Sequence, residues 1–155
     1  MMVDYRPTTN RVAVTKPVDL RSVNGPAFTI IQGHQLPGTT NGDGAIRCVY
    51  LTNGATLSGF TLKGGATRDR NYVDCKGGGA SCESDAAVLS NCVFTGNSAV
   101  YGGGIEKGTL FDCVLTGNSA FGDLYSAGGG AYYSTLNRCR LLGNSASYEG
   151  QGKRI

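Results

Sequence analysis

Little in this chain points toward a membrane, a nucleic acid or a catalytic centre. No apolar run approaches the roughly 18 residues that a membrane helix needs, which argues against insertion as a helical span. Charge is sparse and nearly balanced: 14 Lys and Arg stand against 11 Asp and Glu, a net +3 over 155 residues. No basic cluster forms the patch that a nucleic-acid partner would require. The single histidine, His34, falls in a segment without strand periodicity and reads as a loop residue rather than a base. No Ser/His/Asp arrangement is present. Proline is low at four residues while glycine is high at 25. Apolar alternation is retained between the glycines, which fits a tightly turning repeat better than disorder.

What the chain does have is a nine-residue phrase written three times. NCVFTGNSA at residues 91–99 is followed by DCVLTGNSA at 112–120 and RCRLLGNSA at 138–146. A weaker copy, GFTLKGGAT, precedes them at 59–67. Glycine triplets run in step at 77–79, 102–104 and 128–130, their starts 25 and 26 residues apart. Self-similarity at this period is the mark of a solenoid. Because the triplets recur in register with the repeat, they mark corners and not a phosphate-cradling loop.

The residue types choose the solenoid. Cys92 and Phe94, Cys113 and Leu115, and Cys139 and Leu141 each alternate with a variable residue, the period-2 pattern of a half-buried strand. Glycine and asparagine then break the strand at a fixed place, and the triplets allow corners that a Cβ would obstruct. Strand, corner, strand, corner within each repeat predicts an all-β, single-stranded, right-handed parallel β-helix of about five coils. One domain is expected, with residues 1–11 as an extended lead-in and 147–155 as an incomplete last coil or tail. The six apolar residues just named should point inward. Asn97, Asn118 and Asn144 should stack as an amide ladder.

A family resemblance follows from these motifs. Gly102-Gly103-Gly104-Ile105 and the FxxN of Phe94–Asn97 resemble the paired short motifs of the chlamydial polymorphic membrane proteins. The wider pattern, from about Val12 to Ala146, is similar to bacterial right-handed β-helix repeat proteins of the pectin-lyase-like class. Such repeats occur in adhesins, surface passengers, lyases and hydrolases, so the resemblance implies a fold and leaves the activity open. It also implies export. Met1-Met2-Val3-Asp4 is not followed by the apolar core of a signal peptide, so the expectation is a fragment of a surface or secreted protein, extracellular in its parent.

Candidate chemistry collects where the repeat length varies. The linkers at 34–44, 68–76, 100–101, 121–127 and 147–148 all fall at one corner, and such insertions stack along one edge of a solenoid. Arg68, Asp69, Arg70, Tyr72, Asp74, Tyr101, Asp123, Tyr125 and Tyr148 gather there, with Asp43, Phe121 and His34. Aromatic faces beside carboxylates and guanidiniums suit a glycan, the ring packing on C–H faces and the charges taking hydroxyls. The competing reading is that the corner only tolerates insertions and its tyrosines cover the core. A polysaccharide lyase or hydrolase needs carboxylates on rigid positions. Asp69 and Asp74 lie on a loop, so the expected role is non-enzymatic, structural or adhesive. Carbohydrate binding or cleavage is the alternative. Asn41-Gly42-Asp43-Gly44 has one carboxylate, too few for a calcium loop, and no metal or other cofactor is expected.

Cysteine leaves one question open. Cys92, Cys113 and Cys139 share a repeat position and read as stacked core thiols. Cys48, Cys75 and Cys82 lie outside that column, and spacing alone does not say whether any pair of them is bonded. The repeat stops at Ala146, so the last coil is expected to present open strand edges, which leaves two readings: a homo-oligomer through a coil end, or a tail in which Lys153 and Arg154 fold over that end.

Overall fold

The computed structural model describes residues 7–69, 74–122 and 125–148. Coil one holds β1 (Thr9–Val14), β2 (Asp19–Arg21) and β3 (Ile30–Gln32). Coil two holds β4 (Ile46–Leu51), β5 (Thr56–Ser58) and β6 (Thr61–Lys63). Coil three holds β7 (Ala80–Cys82), β8 (Val88–Ser90), β9 (Val93–Thr95) and β10 (Ser98–Ala99). Coil four holds β11 (Ile105–Glu106), β12 (Thr109–Phe111), β13 (Val114–Thr116) and β14 (Ser119–Gly122). Coil five holds β15 (Ala131–Tyr132), β16 (Thr135–Asn137), β17 (Arg140–Leu142) and β18 (Ser145–Tyr148).

Every ladder between these strands is parallel, and equivalent strands pair from coil to coil. Sheet A runs β1-β4-β7-β11-β15, sheet B β2-β5-β8-β12-β16, sheet C β3-β6-β9-β13-β17, and sheet D β10-β14-β18. The chain is therefore an all-β parallel β-helix, with five coils among the described residues. Its third to fifth coils carry four strands each, more than the two per coil that the sequence pattern suggests.

The core is a set of apolar columns held in register. Leu20, Leu57, Leu89, Leu110 and Leu136 stack in sheet B. Ile31, Leu62, Phe94, Leu115 and Leu141 stack in sheet C. Phe94 and Leu115 are fully buried, but Leu141 is 48% exposed. Each earlier inner member of the column has a coil on both sides, whereas Leu141 has one on one side only among the described residues. Cys139 is partly buried for the same reason, while Cys92 and Cys113 are each 1% exposed.

The asparagine ladder is continuous. Asn97 Nδ2 donates to Leu62 O at 2.9 Å and to Asn118 Oδ1 at 3.0 Å. Asn118 Nδ2 donates to Phe94 O at 3.0 Å and to Asn144 Oδ1 at 2.9 Å. Each Oδ1 also accepts the backbone N–H of the residue one coil below: Asn97 takes Gly65, Asn118 takes Asn97, Asn144 takes Asn118. The amides thus satisfy a buried corner where the backbone leaves the sheet.

The glycine triplets are needed for two different reasons. The first glycine has positive φ in all three copies, +67° at Gly77, +64° at Gly102 and +66° at Gly128. The middle glycine meets the end of its own coil: a Cβ on Gly103 would lie 2.2 Å from Ser119 O. The other turn, between sheets B and C, is made by left-handed residues that are not glycine in the repeats. Asn91, Asp112 and Arg138 have φ of 49°, 53° and 51°. Coil two has Gly59 there.

Two boundaries differ from the sequence reading. β1 begins at Thr9, inside the expected lead-in, because Thr9 and Asn10 pair with Ile46 and Arg47. Ser147 and Tyr148 continue β18 rather than opening a tail, since they pair with Phe121 and Gly122. All six cysteines are free thiols, Cys48, Cys75 and Cys82 included.

Candidate binding face on sheet A

The residues singled out at the variable corner have mixed positions. Arg70, Tyr72 and Asp123 lie outside the described residues, as does the side chain of Tyr148. Lys76, Tyr101 and Ala127 form successive parallel bridges, so the linkers of three coils do meet along one edge. Tyr101 is only 9% exposed and packs with Cys75, Val100, Ala127 and Tyr132. Its ring lies 5.2 Å from that of Tyr132. Tyr125 is 75% exposed and Asp69 is exposed. Arg68 is buried, and its guanidinium pairs with Asp43 at 2.8 Å. His34 is exposed and bridges Ile46. Among the described residues no three His, Cys, Asp or Glu side chains converge as a metal-ligand set.

Asp74 belongs to a clamp. Arg47, at 2% exposure, sends Nη2 to Asp74 Oδ1 at 2.6 Å and to Lys76 O at 2.9 Å. Its Nε reaches Gly77 O at 2.8 Å and Nη1 reaches Asn10 Oδ1 at 2.8 Å. Asp74 Oδ2 also accepts the Thr8 backbone N–H, and Thr8 Oγ1 donates to Asp74 O. One guanidinium thereby ties β1, β4 and the linker before β7. A planar five-donor fork suits this task in a way a lysine would not.

Beside the clamp, the outer side of sheet A opens into a cleft of about 510 Å³. Ala13, Tyr50, Ser81, Glu106 and Tyr132 are in register on successive coils, and the middle three of this row, Tyr50, Ser81 and Glu106, line the cleft. Neighbours in this row are set by the strand spacing, about 4.8 Å. Glu106 is 6% exposed, and its carboxylate accepts Ser81 Oγ at 3.0 Å with Lys107 Nζ at 3.7 Å. Burial, then the charge of Glu83, raises the Tyr50 phenol above its ordinary value, so it stays a hydrogen-bond donor. Glu83 is held below the usual carboxylate range by Thr52 Oγ1 at 2.6 Å and the Asn53 N–H at 2.9 Å. The cleft's lining holds Arg47, Lys76 and Lys107 against Asp74, Glu83 and Glu106, so its formal charges cancel.

Of the residues expected to form a site, Asp74 alone lines this cleft among those described. Tyr50, Ser81 and Glu106 carry no motif and were not anticipated. A signal for part of the row does exist, because Ser81, Glu106 and Tyr132 each lie four residues after the first glycine of a triplet. Comparison with protein-family models, with curated proteins and with solved structures finds no significant match.

Proposed function

We propose that this chain is a non-enzymatic adhesive module, a rigid β-helix that holds a glycan on the outer side of sheet A. The observation that supports this reading is the in-register row of Tyr50, Ser81 and Glu106 in the cleft. A phenol face gives a sugar ring its apolar contact, and the hydroxyl and carboxylate one coil apart take hydroxyls. The three-against-three balance of charged groups favours an uncharged sugar chain over a polyanion. The resemblance of the repeats to exported β-helix proteins agrees with an extracellular setting. Engagement of Arg47 with Asp74, and of Arg68 with Asp43, favours a structural role for the variable corner itself.

The test is a glycan array followed by titration of a neutral oligosaccharide hit into the intact chain. Binding should weaken at least tenfold in Tyr50→Ala, and polyuronides should not compete. An array without hits, or a hit indifferent to Tyr50→Ala, would remove the recognition role and leave a purely structural module.

A further inference from the structure

The column of Cys92, Cys113 and Cys139 is built more regularly than packing requires. Each sulfur faces the carbonyl two residues before it at 3.3 Å, on Ser90, Phe111 and Asn137. Each also lies 3.7 Å from a carbonyl of the coil below, on Leu57, Leu89 and Leu110. The three side chains therefore have one orientation. Val114 N donates to Cys92 O at 3.0 Å and Arg140 N to Cys113 O at 2.9 Å, which places the cysteines at successive rungs of one parallel ladder. Neighbouring rungs are about 4.7–4.9 Å apart. That spacing falls inside the Cα separation of roughly 4.4–6.8 Å that a disulfide spans. Cys92 and Cys139 are two rungs apart, about 9–10 Å, beyond the ~7 Å reach of a disulfide.

We propose that this column is an oxidisable staple, in which a peroxide joins Cys113 to one neighbour and leaves the third thiol free. Cys139 is the partly exposed member and reacts first. Its sulfur attacks the O–O bond of hydrogen peroxide, giving a sulfenic acid and one water. The Cys113 sulfur then displaces the hydroxyl, forming the S–S bond and a second water, which carries away the second thiol proton. Two thiols are oxidised and one peroxide is reduced. Cys92 can next attack the Cys113 sulfur, moving the bond inward and releasing Cys139 as a thiol. The outcome is a coil-to-coil crosslink that slides along the stack.

The experiment treats the folded full-length chain with hydrogen peroxide, blocks remaining thiols with an alkylating reagent, and maps peptides without reduction. The expected map links Cys113 to Cys92 or to Cys139, with one column thiol alkylated. Cys113→Ser, or Cys113→Ala if the serine variant does not fold, should lose every linkage within the column. Cys92→Ser should keep the Cys113–Cys139 pair, whereas Cys139→Ser removes the thiol that reacts first and should leave Cys92 and Cys113 reduced at the same peroxide exposure. Three alkylated column thiols in the oxidised wild type would overturn the proposal. So would a Cys92–Cys139 linkage in the Cys113 variant.

Discussion

Removing the Asn118 amide tests the ladder at its centre. Asn118→Ala deletes four hydrogen bonds: two donated, to Phe94 O and Asn144 Oδ1, and two accepted, from Asn97 N and Nδ2. The Asn97 and Asn144 side chains keep other partners, through Leu62 O and the Asn118 backbone N–H. The uncompensated groups are the Asn97 N–H, which loses its acceptor, and Phe94 O, which loses a donor. Asn97 and Asn118 are 0% exposed, so water does not replace the amide without opening the coil. At about 1–3 kcal/mol for each of the two buried groups, the loss should be about 2–6 kcal/mol. For a chain of this size that lowers the melting temperature by about 5–15 °C. Asn118→Asp should be worse, because a carboxylate presents an acceptor to Phe94 O and Asn144 Oδ1. Asn144→Ala should cost less, since Asn144 is only partly buried and ends the described ladder. Thermal and urea denaturation followed by circular dichroism would measure all three. An Asn118→Ala loss below about 1 kcal/mol, or a larger loss at Asn144, would refute the reasoning.

Two further outcomes follow from buried groups. Arg47→Ala should destabilise by about 3 kcal/mol, the low end for breaking a buried pair, because it removes the guanidinium from the Asp74 carboxylate, which is 20% exposed at the cleft, and from the Gly77 and Lys76 carbonyls; urea denaturation checks it, and a loss under about 1 kcal/mol would show that the clamp holds nothing. Burial pushes the Cys82 thiol up to about 12 and that of Cys48 to about 12. The folded state then keeps protons that the unfolded chain releases from about pH 8.5. Stability from these thiols is full below that pH and is lost as pH rises toward 12. Cys82→Ala should therefore flatten the decline of melting temperature above about pH 9, and an unchanged slope would reject the assignment.

The sequence disclosed the coil count and the amide ladder because both rest on positions where one residue type is required. An asparagine whose two donors and one acceptor meet neighbouring coils cannot be replaced without orphaning a backbone group, so it recurs at Asn97, Asn118 and Asn144. The middle glycine of each triplet recurs because a carbonyl occupies the place of its Cβ. The turn between sheets B and C left no such trace. Its left-handed residue is Asn91 in one coil, Asp112 in the next and Arg138 in the third. A left-handed side chain costs roughly 1–2 kcal/mol, which the surrounding ladders absorb. Asp112 and Arg138 offset some of it with two hydrogen bonds across coils, at 2.7 and 2.8 Å. Three unlike residues thus do the same backbone work, and the division between the sheet B and sheet C strands, one of the two strands per coil that the pattern missed, stayed hidden there.

The proposed binding face was hidden for a different reason. A surface row on a solenoid is written by one residue per coil, so its members here, from Tyr50 to Tyr132, are 25 to 31 positions apart in the chain and need not resemble one another. Inward positions repeat because the column above and below fixes their size. Outward positions carry no such constraint, and the row changes from a phenol at Tyr50 to a hydroxyl at Ser81 and a carboxylate at Glu106 while the register is kept. Charge in the linkers drew attention instead, since Arg68, Asp69 and Asp74 lie close together in sequence. Two of those three have partners within the fold: Asp43 for Arg68 and Arg47 for Asp74. An ion pair that anchors a linker and a charge offered to a ligand look alike in one dimension. They separate only when burial is known, and Arg47 at 2% exposure is already committed to carbonyls, an amide and a carboxylate. On the proposed reading the polar group with capacity to receive a ligand is therefore sought three residues along β4 from Arg47, at Tyr50, where the phenol keeps its proton and lines the cleft.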